Sequence, residues 1–221
     1  MAINPKIKEI YTEIQKQLFY MIPEKWDKVY LYSSIITHPS HLETGEMFFY
    51  YIPRGVFKKN PINVYEIPNK FNINEEEYHK LVDRLYATVK KLRNVHIKVG
   101  QKKWCSVIIS IVDFKFNVEY NYEDLRDYRF DSYERHIIFR YKYLNLPYTS
   151  FTRKEKKIIE EYIQYLKVNK EYTKTYTEPM YESSFHTIKI NSKDSNIGFV
   201  KETELDQLHD KRNIKNQILK Y

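Results

Sequence analysis

A chain of 221 residues, 42% hydrophobic and 16% aromatic, can bury a core of its own, which excludes the fibrous and fully disordered classes. Four glycines are too few for Gly-rich phosphate loops, and one cysteine, Cys105, allows neither an internal disulfide nor a Cys-based zinc cluster. The 37 Lys and Arg exceed the 29 Asp and Glu, a net charge of +8 that favours anionic partners, although 28 of the 37 are lysines, whose A/T-rich codons accumulate in low-GC genomes.

Asn4 before Pro5 is a helix start, and Ile7, Ile10, Ile14, Leu18 and Met21 recur on one helical face until Pro23. Charged residues from Lys6 to Lys16 fill the place where a signal peptide needs an apolar region, and no apolar run is long enough to span a membrane, so the expected location is the cytoplasm. Val29 to Ile36 and Met47 to Ile52 are β-branched and aromatic runs on either side of a polar stretch, His38 to Glu46, and predict a hairpin. Val64 to Ile67, closed by Pro68, predicts a third strand. Asn74 caps a central helix whose first turn holds Glu75, Glu76 and Glu77.

Trp104 to Val112 is a continuous apolar run suited to a covered strand. Phe114, Phe116, Val118, Tyr120 and Tyr122 then alternate with polar residues, the period of a half-buried strand. Ser132 opens one further helix, and the box Thr152 to Glu155 opens another with Ile158, Ile159, Tyr162, Ile163 and Leu166 inward. The order predicts an α+β fold: an antiparallel sheet of about five strands, an N-terminal helix, a central helix and two C-terminal helices. Residues 1–167 form the expected domain; residues 168–221 read as a partly ordered extension, with a strand at Phe185 to Ile190 and a helix at Thr203 to Leu219.

Asp113-Phe114-Lys115 has the acid-x-Lys spacing that metal-dependent nucleases place on a strand, but Asp113 also suits the turn between two strands, and no second acid is clearly placed to share a metal. His38 and His41 flank Pro39 without a third ligand, and His136, beside Arg135 and near Glu134, suits surface pairing. Cys105 reads as a buried, inert thiol. Lys98, Lys102 and Lys103, and Arg153, Lys154, Lys156 and Lys157, are the densest basic groups, which leaves a nucleic-acid-binding module as an alternative. The acidic residues concentrate elsewhere: Glu119, Glu123, Asp124, Asp127, Asp131 and Glu134 interleave with Tyr120, Tyr122, Tyr128, Phe130 and Tyr133. Acid with aromatic suits a surface for a basic protein partner, or equally a connector packed on the sheet.

Several stretches, among them Met21 to Tyr32, Phe48-Phe-Tyr-Tyr51, Ile67 to Tyr78, Tyr120-Asn-Tyr-Glu-Asp-Leu125, Ser132 to Leu144 and Lys156 to Tyr162, resemble the YezG/EsaG-like family of immunity proteins. The resemblance implies a cytoplasmic, non-catalytic antitoxin of low-GC Gram-positive bacteria that binds a nuclease toxin exported by a type VII secretion system. It implies no cofactor, metal or small-molecule substrate and no direct contact with nucleic acid or membrane. The loop His38 to Glu46 looks longer than is usual in the family, and the extension after Lys167 is usually absent there. A net charge of +8 also argues against wholesale mimicry of DNA, since a plug for a basic cleft should be acidic. The expected partner-facing residues are Glu119, Glu123, Asp124, Asp127 and Asp131 as charges, with Tyr128 and Phe130 as anchors.

Overall fold

The computed structural model describes residues 4–55, 57, 60–112, 115–175 and 185–189. Helix α1 (Pro5–Met21) starts where the Asn4 side chain accepts from the Lys6 backbone N–H at 3.0 Å. Strands β1 (Trp26–Ser34) and β4 (Met47–Pro53) pair antiparallel, as the hairpin expectation had it, and the connecting stretch folds into a small ribbon, β2 (Ile36–Thr37) on β3 (Glu43–Thr44).

The expectation of a strand at Val64 to Ile67 is corrected. The strand there, β5 (Ile62–Asn63), is only two residues long, and the Asn63 side chain accepts from Tyr65 N–H at 3.1 Å, turning the chain into a 3-10 segment (Val64–Glu66). Pro68 then sits at the start of helix α2 (Ile67–Phe71), where its fixed φ suits the first turn, and so opens a helix where a strand end was expected.

Helix α3 (Glu75–Lys98) is capped by Asn74 as expected. Strand β6 (Ser106–Val112) lies between β1 and β7 (Lys115–Asn121), and β8 (Phe185–Lys189) adds to β7. The sheet order is β5-β4-β1-β6-β7-β8, antiparallel throughout. Helix α4 (Ser132–Tyr143) follows, then α5 (Arg153–Thr175), which opens with the predicted box and continues unbroken past Lys167. Leu166, expected inward, is exposed. The helix expected at Thr203 to Leu219 lies outside the described residues.

Alternation along each strand divides the sheet into two faces. One carries Val29, Leu31, Phe49, Tyr51, Val107, Ile109, Phe116, Val118 and Tyr120 beneath α1 and α3, forming the main core. The other carries Tyr32, Phe48, Tyr50 and Ile108 beneath Phe139, Tyr143 and Leu144 of α4 and its C-cap. Helix α5 packs on α4 through Ile158 and Ile159 against Ile137 and Ile138, and so joins the structure through α4.

Two buried polar clusters brace the main core. Arg93 of α3, 2% exposed, donates from Nε to the Trp104 carbonyl (2.8 Å) and from a terminal nitrogen to Glu43 of β3 (3.0 Å). This ion pair fixes the His38–Glu46 loop against α3 and keeps a buried guanidinium neutralised. Three residues on, the Trp104 indole N–H donates to His96 Nδ1 (2.9 Å), His96 Nε2 faces the Tyr120 hydroxyl (3.3 Å), and that hydroxyl lies 2.7 Å from the Tyr11 hydroxyl. The chain of bonds ties α3, β7 and α1 together.

Candidate functional site

The acid-aromatic stretch runs from the last residues of β7 across a loop to α4. Its first acid, Glu119, points toward α4 and accepts from the Tyr143 hydroxyl at 3.1 Å. Glu123 is turned by the Asn121 side chain, which accepts its N–H at 2.9 Å, and accepts in turn from the Tyr165 hydroxyl of α5 at 3.1 Å. Burial pushes the Glu123 carboxyl above its ordinary range, only partly offset by the Tyr165 bond.

Asp124 lies in the open. It accepts from both the backbone N–H and the guanidinium of Arg126 at 3.0 Å, and that guanidinium holds its carboxyl down at about 2. Asp127 is exposed. Asp131 caps α4 in a complete capping box: it accepts from Glu134 N–H at 2.9 Å while Glu134 accepts from Asp131 N–H at 3.0 Å.

The aromatic members behave differently. Tyr128 is half-buried, its ring 5.7 Å from Phe130 and 6.4 Å from Tyr165. Phe130 is 1% exposed and packs among Ile137, Ile138, Phe151, Ile158 and Ile159. Expected as an anchor for the partner, the ring instead lies in the α4–α5 core, because the capped start of α4 folds residue 130 beneath the helix it precedes. The structure thus gathers all seven expected residues along one segment, of which Asp124, Asp127 and Asp131 are exposed, while Glu119 and Glu123 are tied to tyrosines.

Sequence reasoning missed what holds this segment in place. Arg135, with its side chain 12% exposed, donates from Nε to Glu46 (2.6 Å) and from a terminal nitrogen to the Phe130 carbonyl (2.8 Å). Ser132 and Tyr32 also donate to Glu46. One carboxylate at the end of the long loop therefore anchors both the acidic segment and the start of α4. His136 is corrected too: it faces the sheet, stacks on Phe48 at 4.4 Å between ring centres and bonds the Tyr50 hydroxyl at 2.8 Å. Burial pushes its pKa below the usual imidazole value. Both residues occupy the α4 face that the spacing of Ile137, Ile138 and Tyr141 only partly revealed.

The other candidates are dispersed. Asp113 lies outside the described residues, and Lys115 is exposed at the start of β7. His38 bonds the Thr44 hydroxyl at 2.8 Å, and among the described residues no group of three or more His, Cys, Asp or Glu could hold a metal ion. Cys105 is half-exposed, with burial raising its thiol pKa. Lys102 lies 5.1 Å from the Tyr122 ring centre, Lys154 5.2 Å from Tyr133 and Lys156 5.3 Å from Tyr148, so part of each basic cluster rests on local aromatics. A crevice of about 80 Å³ between α4 and the sheet, lined by Glu119, Arg135 and Tyr143, and a cleft of about 250 Å³ beside Tyr30 and Leu144 are both smaller than the ~300 Å³ at which typical ligand pockets begin.

Residues 7–160, from α1 into the first turns of α5, match the family described as immunity protein YezG-like. The chain belongs to that family. It is 28% identical over 162 residues to the immunity protein YezG of Bacillus spizizenii, covering 73% of this chain and 95% of the relative. It is 29% identical over 169 residues to the type VII secretion system protein EsaG of Staphylococcus aureus, covering 75% and 99% respectively. The YezG of Bacillus subtilis is 26% identical over 141 residues, covering 63% and 89%. Among the described residues no helix of this YezG-like chain is long and apolar enough to cross a membrane.

Proposed function

We propose that this chain is the antitoxin for a nuclease toxin exported by a type VII secretion system, and that it acts inside the producing cell by stoichiometric binding, making and breaking no covalent bond itself. The observation that carries this reading is the family match over residues 7–160. The relative named as a type VII secretion system protein, matched over 99% of its length, supports the link to that pathway.

The surface that suits a basic nuclease is the loop from β7 to α4. Asp124, Asp127 and Asp131 lie in solvent, where they can steer a cationic partner, and Tyr128 stands half-exposed beside them. Glu119 and Glu123 add negative charge behind them, with Phe130 as the packing beneath. Residues 1–167 constitute the immunity domain in this reading and 168–221 an extension beyond the family match, although α5 itself runs on to Thr175.

Co-expression tests the proposal. A nuclease toxin exported by the type VII system of the same organism should kill cells when produced alone, spare them when this chain is present and co-purify with it. Death in both cases, with no complex recovered, would overturn the proposal.

A further inference from the structure

The two edges of the sheet are built differently. At one end β5 is two residues long and follows Pro61, and β4 beside it ends in Pro53, a short proline-flanked edge that resists further pairing. At the other end β7 is seven residues long and pairs with β6 over its whole length, from Lys115 to Asn121. The outer side of β7 is taken by β8, with Asn117 opposite Lys189, Val118 opposite Ile188, Glu119 opposite Thr187, Tyr120 opposite His186 and Asn121 opposite Phe185.

β8 comes from outside the shared family region, which ends at residue 160. The Bacillus spizizenii and Staphylococcus aureus relatives are matched over 95% and 99% of their own lengths while about a quarter of this chain stays unmatched. The family portion therefore ends its sheet on β7, a long strand whose outward N–H and C=O groups are open to pairing, and the extension of this chain supplies a partner from within.

We propose that the outer edge of β7 is where an extended, basic segment of the toxin adds as a further strand, and that β8 is a stand-in that fills this edge until the toxin displaces it. The inference rests on the toxin-neutralising reading above. Strand addition supplies main-chain hydrogen bonds from an edge that already has the right pleat and length. Charge gives the direction: β7 leads straight into a loop where Glu123, Asp124, Asp127 and Asp131 outnumber Arg126 and Arg129, so cationic residues flanking an added strand meet net negative charge at its end even with Asp124 paired to Arg126. The stand-in leaves the edge free for only part of the time and weakens toxin binding in proportion to that free fraction, so the extension sets the affinity of this chain by covering an edge that belongs to the family region.

The test uses the full chain and a variant with Thr187→Pro and Ile188→Pro together. Successive strand N–H groups point to opposite sides, so one of the two prolines removes a hydrogen bond to β7. Backbone hydrogen exchange over residues 115–121 should be slow in the free wild type, faster in the free variant, and slow again in both when the nuclease domain of a type VII-exported toxin of the same organism is bound. If β8 fills the edge about nine-tenths of the time, the variant should bind that domain about tenfold more tightly. An unaltered melting temperature checks that the variant keeps its fold. Binding with equal affinity in both forms, or bound complexes in which residues 115–121 of the variant still exchange fast, would overturn the strand-addition proposal while leaving the toxin reading intact. Absence of binding by either form would overturn both.

Discussion

Acid should loosen this protein through His96. The ring is 2% exposed, its Nδ1 accepts from the Trp104 indole N–H, and burial pushes its pKa from 6.5 down to about 4. Protonation would place a second N–H against that of Trp104 and a charge in an apolar core, so the folded state holds the ring neutral. Because the folded pKa lies below the unfolded one, the contribution is complete above pH 6.5 and lost as pH falls toward 4. Linkage gives a loss of about 2 kcal/mol at pH 5 and about 3 kcal/mol at pH 4. Urea unfolding of the wild type and of His96→Gln across this range isolates the effect, since other titrating groups are common to both. Glutamine cannot titrate, so the stability gap between the two proteins should narrow by about 3 kcal/mol between pH 7.5 and pH 4. A gap that stays constant with pH would refute the neutral, hydrogen-bonded His96.

Three variants separate the surface from its support. Asp124→Lys with Asp127→Lys should slow association with the proposed toxin by about tenfold at low salt and lower the melting temperature only slightly, since the Asp124–Arg126 pair it breaks is exposed; stopped-flow binding at two salt concentrations checks it. Phe130→Ala should cost about 3–5 kcal/mol in urea unfolding while the folded protein keeps its association rate, because the ring fills the α4–α5 core; wild-type stability would contradict that packing. Asp131→Ala should cost about 1 kcal/mol through loss of the capping box, read from the same unfolding curves.

Elements whose signals are local were legible in the sequence. Asn4, Asn74 and the Thr152–Glu155 box each start a helix where the side chain can reach a backbone N–H within the next three residues. The alternation from Phe116 to Tyr120 gave β7 because each strand residue alternates between the α1 side and the α4 side. Readings that depend on distant partners were not legible. Phe130 is an aromatic in an acidic run, and only the packing of α5 over α4 shows that it is core. His136 and Arg135 look like surface residues until Phe48, Tyr50 and Glu46 arrive from a hairpin more than eighty residues earlier. Val64 to Ile67 has strand composition, but the Asn63 turn and Pro68 win locally. Of the candidate surface, the sequence located the segment, and the fold sorted its exposed acids from its structural ones.

Titration of the nuclease domain of the proposed toxin with this chain tests the central claim most directly. DNA cleavage should fall in proportion to added protein and cease at one equivalent, with no cleavage by this chain alone in the presence of magnesium. Cleavage that persists at several-fold excess, or that this chain performs unaided, would contradict it.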